Sequence, residues 1–190
     1  MRHGAVVAET TGLGKRLARL LLGPMTDLSE RLLTHFVGGR WRVPFATGQV
    51  AVLHEDGTRA GSAVLAGRDD VMRAKASLRG ADPKACRRMA DMLDSLGMLP
   101  ADADRPAIDG PVILCESDSG ALGAALVSGL RHGVIWCPPL RATLMATELV
   151  TSLQQADLPP GAFALLHADT PQTRGHLRAA GLRVLGGAQR

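Results

Sequence analysis

The residues best placed to do chemistry are two cysteines, Cys115 and Cys137, each at the end of a short apolar run. The runs PVILC and VIWC are typical of buried strands, and Pro138 with Pro139 stops the second. As neighbours in a parallel sheet, the two thiols would meet at its carboxyl edge, where open α/β sheets bind ligands. A redox pair or a soft-metal site is one interpretation. Two buried, inert cysteines are favoured, because free cysteine behaves as a small apolar residue.

A second candidate is the turn SDSGALG, which follows the first of these strands. A helix that begins there could bind an anion such as phosphate through its first N–H groups. However, the turn lacks the G-x-G-x-x-G pattern, and Glu116 and Asp118 would oppose a phosphate. Helix capping by serine or aspartate accounts for the same residues equally well.

The remaining cysteine and the histidines give no metal motif. The three cysteines have no C-x-x-C spacing, and the six histidines have no i, i+4 pairing, so neither a zinc site nor a disulfide framework is indicated. We interpret Cys86 as a packing residue beside an apolar helix stripe. His167 follows a predicted strand and could face a ligand crevice, but a solvated histidine at a strand end is favoured.

Composition and charge argue against several classes of function. The net charge is +4, but the basic residues are scattered, and three Phe, two Trp and no Tyr are too few for a base-stacking surface. Nucleic-acid binding is therefore disfavoured. No apolar run reaches the roughly 18 residues of a membrane span, and the first residues lack a signal-peptide core, so we predict a cytoplasmic protein. A basic amphipathic pattern after residue 12 leaves contact with a membrane surface or nucleic acid as a minor alternative.

The first half of the chain mixes helical and strand patterns. Residues 12–36 carry two helical patterns, and residues 37–66 read as a small β-element with turns at Gly38-Gly39 and Asp56-Gly57. Helices follow over residues 67–100, the better marked of them at 82–96.

Residues 111–190 alternate between apolar strands and helices. That rhythm predicts a parallel sheet with helices on both faces, that is, an α/β Rossmann-like fold. The predicted organisation is an N-terminal helical segment, 1–36, and an α/β domain, 37–190, which comprises the β-element 37–66, the helices 67–100 and the Rossmann-like half 111–190.

The order of these segments resembles the aldehyde dehydrogenase superfamily. HFVGGRWR resembles the family's first strand, AGRDDVMRAKASLRG its segment in which an Asp-Val pair leads into an alanine-rich helix, and QQADLPPGAFALLHAD its stretch around a Gly-Leu-Pro-Pro-Gly turn. The resemblance covers roughly residues 30–190. It implies the N-terminal, NAD-binding part of that fold, and it extends to the non-catalytic pseudo-domains of fused or two-subunit aldehyde dehydrogenases.

The resemblance also implies which ligand positions have changed. In the family, the strand matching VIWC ends in Lys-Pro-Ser, and the lysine helps to bind the adenosine ribose of NAD(P). Here Cys137, Pro138 and Pro139 stand there, and neither a thiol nor proline supplies an ammonium donor. The family's oxyanion-binding Asn lies in a loop that here reads Glu116 to Ser119, and an acid there would repel an oxyanion.

We therefore predict a non-catalytic aldehyde-dehydrogenase-like protein that serves as a structural or regulatory subunit of an oxidoreductase assembly. The resemblance places the nucleophilic Cys and general-base Glu beyond the part matched here, so no catalytic residue, metal or cofactor is assigned. The implied partner is a catalytic aldehyde dehydrogenase or another oxidoreductase subunit. The alternative is a component that still binds NAD or NADP and completes an active site with another subunit. The vestigial crevice rim would comprise Ser117, Asp118, Cys137, Pro138, Gly186 and Gly187.

Overall fold

The computed structural model of this chain describes residues 6–7, 32–54, 56–99, 107–114, 119–155, 157–167 and 171–185. The two helices expected over residues 12–36 fall mostly outside these ranges. At the end of that stretch the prediction is wrong, because Leu32–Leu33 and His35–Val37 are strands.

The described residues form ten strands and five helices. The strands are β1 (Val6–Val7), β2 (Leu32–Leu33), β3 (His35–Val37), β4 (Arg40–Arg42), β5 (Gln49–Leu53), β6 (Arg59–Val64), β7 (Val112–Leu114), β8 (Val134–Trp136), β9 (Phe163–Leu165) and β10 (Arg183–Leu185). The helices are α1 (Arg68–Ser77), α2 (Pro83–Ser95), α3 (Ser119–Gly129), α4 (Thr143–Gln154) and α5 (Pro171–Ala179), with a 3-10 turn at Leu140–Ala142 before α4.

The main sheet has six strands in the order β10-β7-β8-β9-β3-β4. The first four strands are parallel, as the alternation of strands and helices predicted. The hairpin β3–β4 extends this sheet by pairing antiparallel to β9, with Phe36 opposite Leu165. The α/β fold class is confirmed, and the hairpin makes the sheet mixed rather than purely parallel.

The Gly-Gly turn forms the β3–β4 hairpin as predicted. Val37 pairs with Arg40, so Gly38 and Gly39 are the two loop residues, with φ values of +62° and +80°. Two-residue hairpin loops of this kind need positive φ at both central positions, which glycine adopts at little cost.

A second sheet of four strands has the order β1-β5-β6-β2. Its centre is the predicted hairpin β5–β6, whose turn is stabilised by the Thr58 N–H donating to the Asp56 carboxylate at 2.9 Å. The residues of the expected β-element thus divide between the two sheets. The pairing of β1 with β5 had no counterpart among the sequence predictions.

Helix α2 begins at the capping residues from which the sequence predicted its start. The Asp82 carboxylate accepts the Ala85 N–H at 2.8 Å, and Pro83 occupies the first turn. That hydrogen bond holds the pKa of Asp82 below its usual value, because it stabilises the charged form. Met98 N–H and Gly97 N–H bond back to Leu93 and Asp94 carbonyls at the other end.

Helices cover both faces of the main sheet. On one face, α2, α3 and α4 pack over Trp136 and Phe163, which are almost fully buried. On the other face, α1 and α5 pack over Ile135 and Ala164. Trp136 therefore belongs to the core, as expected. No helix in the described ranges is long and apolar enough to cross a membrane.

Candidate functional site

The carboxyl edge of the parallel strands is defined by one row of paired residues. Leu185 pairs with Leu114, Leu114 with Trp136, and Trp136 with Leu165. Because β8 and β9 follow on one side of β7 while β10 lies on the other, the topological switch point falls between β7 and β10. The sheet thus keeps the order that creates a ligand crevice.

Most of the predicted crevice rim lies outside the described residues. This applies to Ser117, Asp118, Gly186 and Gly187, and to the candidate thiol of Cys115. The described part of the predicted rim consists of Cys137 and Pro138, which follow directly on β8.

Cys137 is closed off from solvent. Its exposed fraction is 0%, and it packs in the apolar cluster that joins α1 and α5 to the sheet. Pro138 is also buried. The interpretation of Cys137 as a buried residue is confirmed. Cys86 is likewise buried, and burial raises the pKa of its thiol.

The chain after Cys137 is covered by the second sheet. Strand β1 lies against the 3-10 turn at Leu140–Ala142. The next turn contributes Leu144, which packs in the core of the second sheet. The apolar residues that surround it are Leu33, Val52, Ala60 and Ala63. The end of β8 therefore meets protein rather than an open cleft.

The end of β9 is closed by hydrogen bonds from two other segments. Ala66 donates its N–H to the His167 carbonyl at 3.1 Å, and its own carbonyl accepts the Thr173 hydroxyl at 3.1 Å. His167 has an exposed fraction of 0%. The expectation of a solvated histidine at this strand end is therefore wrong, because the segment after β6 crosses over it.

His167 lies beside a second buried histidine, His35, on strand β3. The His167 backbone N–H donates to His35 Nδ1 at 3.3 Å, and the ring centroids are 6.0 Å apart. Since Nδ1 accepts, the proton of neutral His35 belongs on Nε2, which lies 3.9 Å from Asp70 Oδ2. His35 and Asp70 are both fully buried.

Burial keeps His35 neutral. It lowers the pKa of His35 to about 4, with Asp70 acting in the opposite direction and Arg73 adding to the decrease. A buried imidazole loses the hydration of its charged form, and here that loss outweighs the nearby carboxylate.

Asp70 is saturated by donors from the protein itself. Its carboxylate accepts the N–H groups of Phe45 at 2.9 Å and of Ala46 and Gly67 at 3.2 Å, and Arg73 Nη2 at 3.0 Å. The carboxylate therefore fastens the segment after β4 to the start of α1.

The cluster of His35, Asp70, Arg73 and His167 has the residue types of an acid–base site, but its histidine and aspartate side chains are not accessible to solvent. Three of its side chains are fully buried and Arg73 is 25% exposed. Within the described ranges, no group of three or more His, Cys, Asp or Glu side chains could hold a metal ion. Sequence reasoning had assigned Asp70 only to the helix start and had not singled out His35. No local pattern links the two, since their contact joins residues far apart in the chain.

Two cavities in the described part of the chain lie elsewhere. One, of about 120 Å³, is lined by Gly39, Pro159 and Phe163 at the amino edge of the sheet. The other, of about 460 Å³, is a groove between α2 and α3 with Arg87 and Arg131 at its sides. Neither is lined by Cys137 or Pro138.

Comparison with known proteins identifies the fold. No protein-family model matches the sequence, and no curated protein matches it. Among solved structures, HpcC from Thermus thermophilus is 19% identical with a TM-score of 0.60, over 93% of this chain and 46% of its own. Aldehyde dehydrogenase C from Pseudomonas syringae, a mutant complexed with NAD+ and octanal, is 14% identical with a TM-score of 0.62, over 83% and 50%.

A third similar structure is the Delta-pyrroline-5-carboxylate dehydrogenase from Mycobacterium tuberculosis bound with NAD and cobalamin. It is 19% identical with a TM-score of 0.57, over 89% of this chain and 44% of its own. The chain thus spans about half the length of the structures that it matches. The resemblance inferred from the sequence is confirmed at the level of the fold: this chain has an aldehyde-dehydrogenase-like fold.

Proposed function

We propose that this chain is a non-catalytic aldehyde-dehydrogenase-like protein that acts as a structural or regulatory subunit of an oxidoreductase assembly in the cytoplasm. The observation that carries the proposal is the closed end of β8. Where the family resemblance implies a lysine for NAD(P), the chain has a fully buried Cys137 followed by a buried Pro138.

The packing of the second sheet supports the same proposal. Leu144 and the turn before it are in contact with strands from the first third of the chain. Opening a nucleotide site at the end of β8 would expose this apolar surface, which costs roughly 25 cal/mol for each Å². The well-formed core, in turn, favours a chain selected to fold rather than a decaying remnant.

Native co-purification tests the proposal. The tagged full chain is isolated from its own cells, and the bound proteins are identified and quantified by mass spectrometry. We expect a stoichiometric oxidoreductase subunit and no NAD(P)-dependent aldehyde oxidation by the purified chain alone. Robust oxidation by the isolated chain, or a chain without a partner, would overturn the proposal.

The alternative is a component that binds NAD or NADP and completes an active site with another subunit. The strand order favours it, because the switch point between β7 and β10 is kept. It predicts micromolar affinity for a nucleotide in the isolated chain or in the purified complex. The subunit proposal predicts no binding to the isolated chain even at millimolar nucleotide.

A further inference from the structure

Two apolar side chains stand out on the surface of this molecule. Val43 is 82% exposed and Phe45 is 62% exposed, whereas Phe36 and Phe163 are buried in the core. They lie just after β4, which is the edge strand of the main sheet. Single exposed apolar residues are common, but two large ones this close together mark a candidate contact surface.

The backbone that carries these side chains is fixed in place. Asp70 accepts the N–H groups of Phe45 and Ala46, and Arg73 Nη2 donates to the Val43 carbonyl at 3.0 Å. The guanidinium of Arg73 lies 4.3 Å from the centroid of the Phe45 ring, within the range of a cation–π contact. The buried carboxylate and the arginine therefore hold Phe45 in one position, outward from the fold.

This arrangement is suited to binding. An aromatic anchor that is already ordered loses little conformational entropy when a partner covers it, and such anchors dominate the energy of protein interfaces. The Phe45 ring itself buries little apolar surface in the isolated chain, because it is 62% exposed.

The charges around the anchor select the kind of partner. Arg40 and Arg42 belong to the strand that leads into Val43, and Arg73 lies at the ring itself. Arg73 is paired with the Asp70 carboxylate at 3.0 Å, so the positive charge that a partner would meet is that of Arg40 and Arg42. A second copy docked through the same surface would bring these guanidinium groups together, which is unfavourable.

We propose that Val43 and Phe45, together with Arg40 and Arg42 on the strand that leads into them, form the docking surface for a different protein. Its contacting face is apolar at the centre and carries Asp or Glu side chains at the rim. This inference rests on the proposed subunit function and adds which surface of the chain makes the contact. We name it the Phe45 surface.

The test places a photo-crosslinking residue, p-benzoylphenylalanine, at position 45 of the full chain expressed in its own cells. Mass spectrometry then maps the crosslinked peptide. In parallel, co-purification compares wild type with the double variant Val43→Ser/Phe45→Ser. Leu32→Ser is the matched control, because Leu32 is likewise an exposed apolar residue, at 47%, but belongs to β2 of the second sheet.

Charge is tested by Arg40→Glu, with Lys84→Glu on α2 as the matched control; both side chains are exposed. We expect the Val43→Ser/Phe45→Ser pair and Arg40→Glu each to reduce partner recovery at least tenfold, and the two controls to leave it unchanged. Recovery should also fall with added salt, since rim charges are screened. The crosslinked peptide should contain or adjoin acidic residues. Denaturant unfolding of each purified variant verifies that it is folded.

The outcomes separate this inference from the proposed function. A partner that is retained by folded Val43→Ser/Phe45→Ser overturns the Phe45 surface and leaves the subunit function in place. A wild-type chain without any partner overturns both. A crosslink from position 45 to a second copy of this chain, or to a partner segment that is basic or lacks acidic residues, also overturns the inference.

Discussion

The ends of β8 and β9 lie side by side in the main sheet but are built in different ways. At β8 the chain continues into Cys137 and Pro138, which are buried among apolar side chains. At β9 it continues into His167, which is buried among hydrogen-bonding groups from β3 and from the segment after β6. Both Cys137 and His167 have an exposed fraction of 0%. Polar groups at the end of β9 therefore hold the N-terminal strands onto the parallel sheet.

The apolar end of β8 should tolerate a charged side chain less well than the polar end of β9. Cys137→Lys, which restores the residue type that the family resemblance implies, would place an ammonium group in a cluster without solvent access. We expect a loss of several kcal/mol, a large part of the roughly 5–15 kcal/mol that stabilises a typical domain. Denaturant unfolding measures it, with Cys137→Ala as the control, for which about 1–2 kcal/mol is expected. A stable Cys137→Lys protein that binds NAD would show that the end of β8 can open.

The polar end should depend most on Asp70. Asp70→Ala removes the acceptor of three backbone N–H groups and leaves Arg73 without its carboxylate. We expect about 3–5 kcal/mol of destabilisation, as for other broken buried pairs. Asp69→Asn, at the exposed neighbouring position, should change the free energy of unfolding by no more than about 0.5 kcal/mol. Equal effects of the two substitutions would contradict the role given to Asp70.

The polar end should also make stability depend on pH. The unfolded chain protonates His35 near its ordinary pKa of 6.5, whereas the folded chain does so only at about 4. Between these values the unfolded state binds more protons, so the His35 contribution is lost as the pH falls from about 6.5 to about 4. The shift corresponds to about 3 kcal/mol.

Unfolding titrations of wild type and His35→Gln at several pH values isolate that contribution. The groups that face or adjoin His35 are Asp70, Arg73, Arg42 and His167, and all are kept in the variant. We expect the pH dependence of wild type to exceed that of His35→Gln between pH 6.5 and 4. Parallel curves would show that His35 is not held neutral in the folded state.

A smaller loss of stability is expected from breaking the hydrogen bond between α5 and the segment after β6. Thr173→Val removes the hydroxyl that donates to the Ala66 carbonyl while it keeps the shape of the side chain. The expected cost is about 1 kcal/mol, the usual net contribution of one hydrogen bond. Hydrogen exchange of the Ala66 amide, which bonds to the His167 carbonyl, should increase in the variant. Unchanged protection of the Ala66 amide would mean that the hydrogen bond between Ala66 and His167 does not depend on α5.

Much of the fold could be predicted because its signals are local. The Gly38-Gly39 turn, the Asp82 cap and the apolar run VIWC each specify an element from a few adjacent residues, and each element is present. The placement of β3–β4 in the main sheet could not be predicted, since it depends on the pairing of Phe36 with Leu165 across the chain.

At the candidate site, too, burial could be predicted where the signal is local and not where it depends on distant residues. Burial of Cys137 followed from the strand pattern around it. Burial of His167 did not, because it results from Ala66, which lies about a hundred residues earlier in the sequence. The exposed Phe45 also escaped the sequence analysis, since an aromatic residue near a strand is more often core.

Calorimetric titration of the full, isolated chain with NAD and with NADP shows whether the end of β8 binds a nucleotide. If the end of β8 serves only as packing for the fold, neither nucleotide should release heat of binding at concentrations up to the millimolar range. Saturable binding with micromolar affinity, abolished by a substitution at the β7–β10 switch point, would contradict the proposed subunit function and favour a nucleotide-binding component instead.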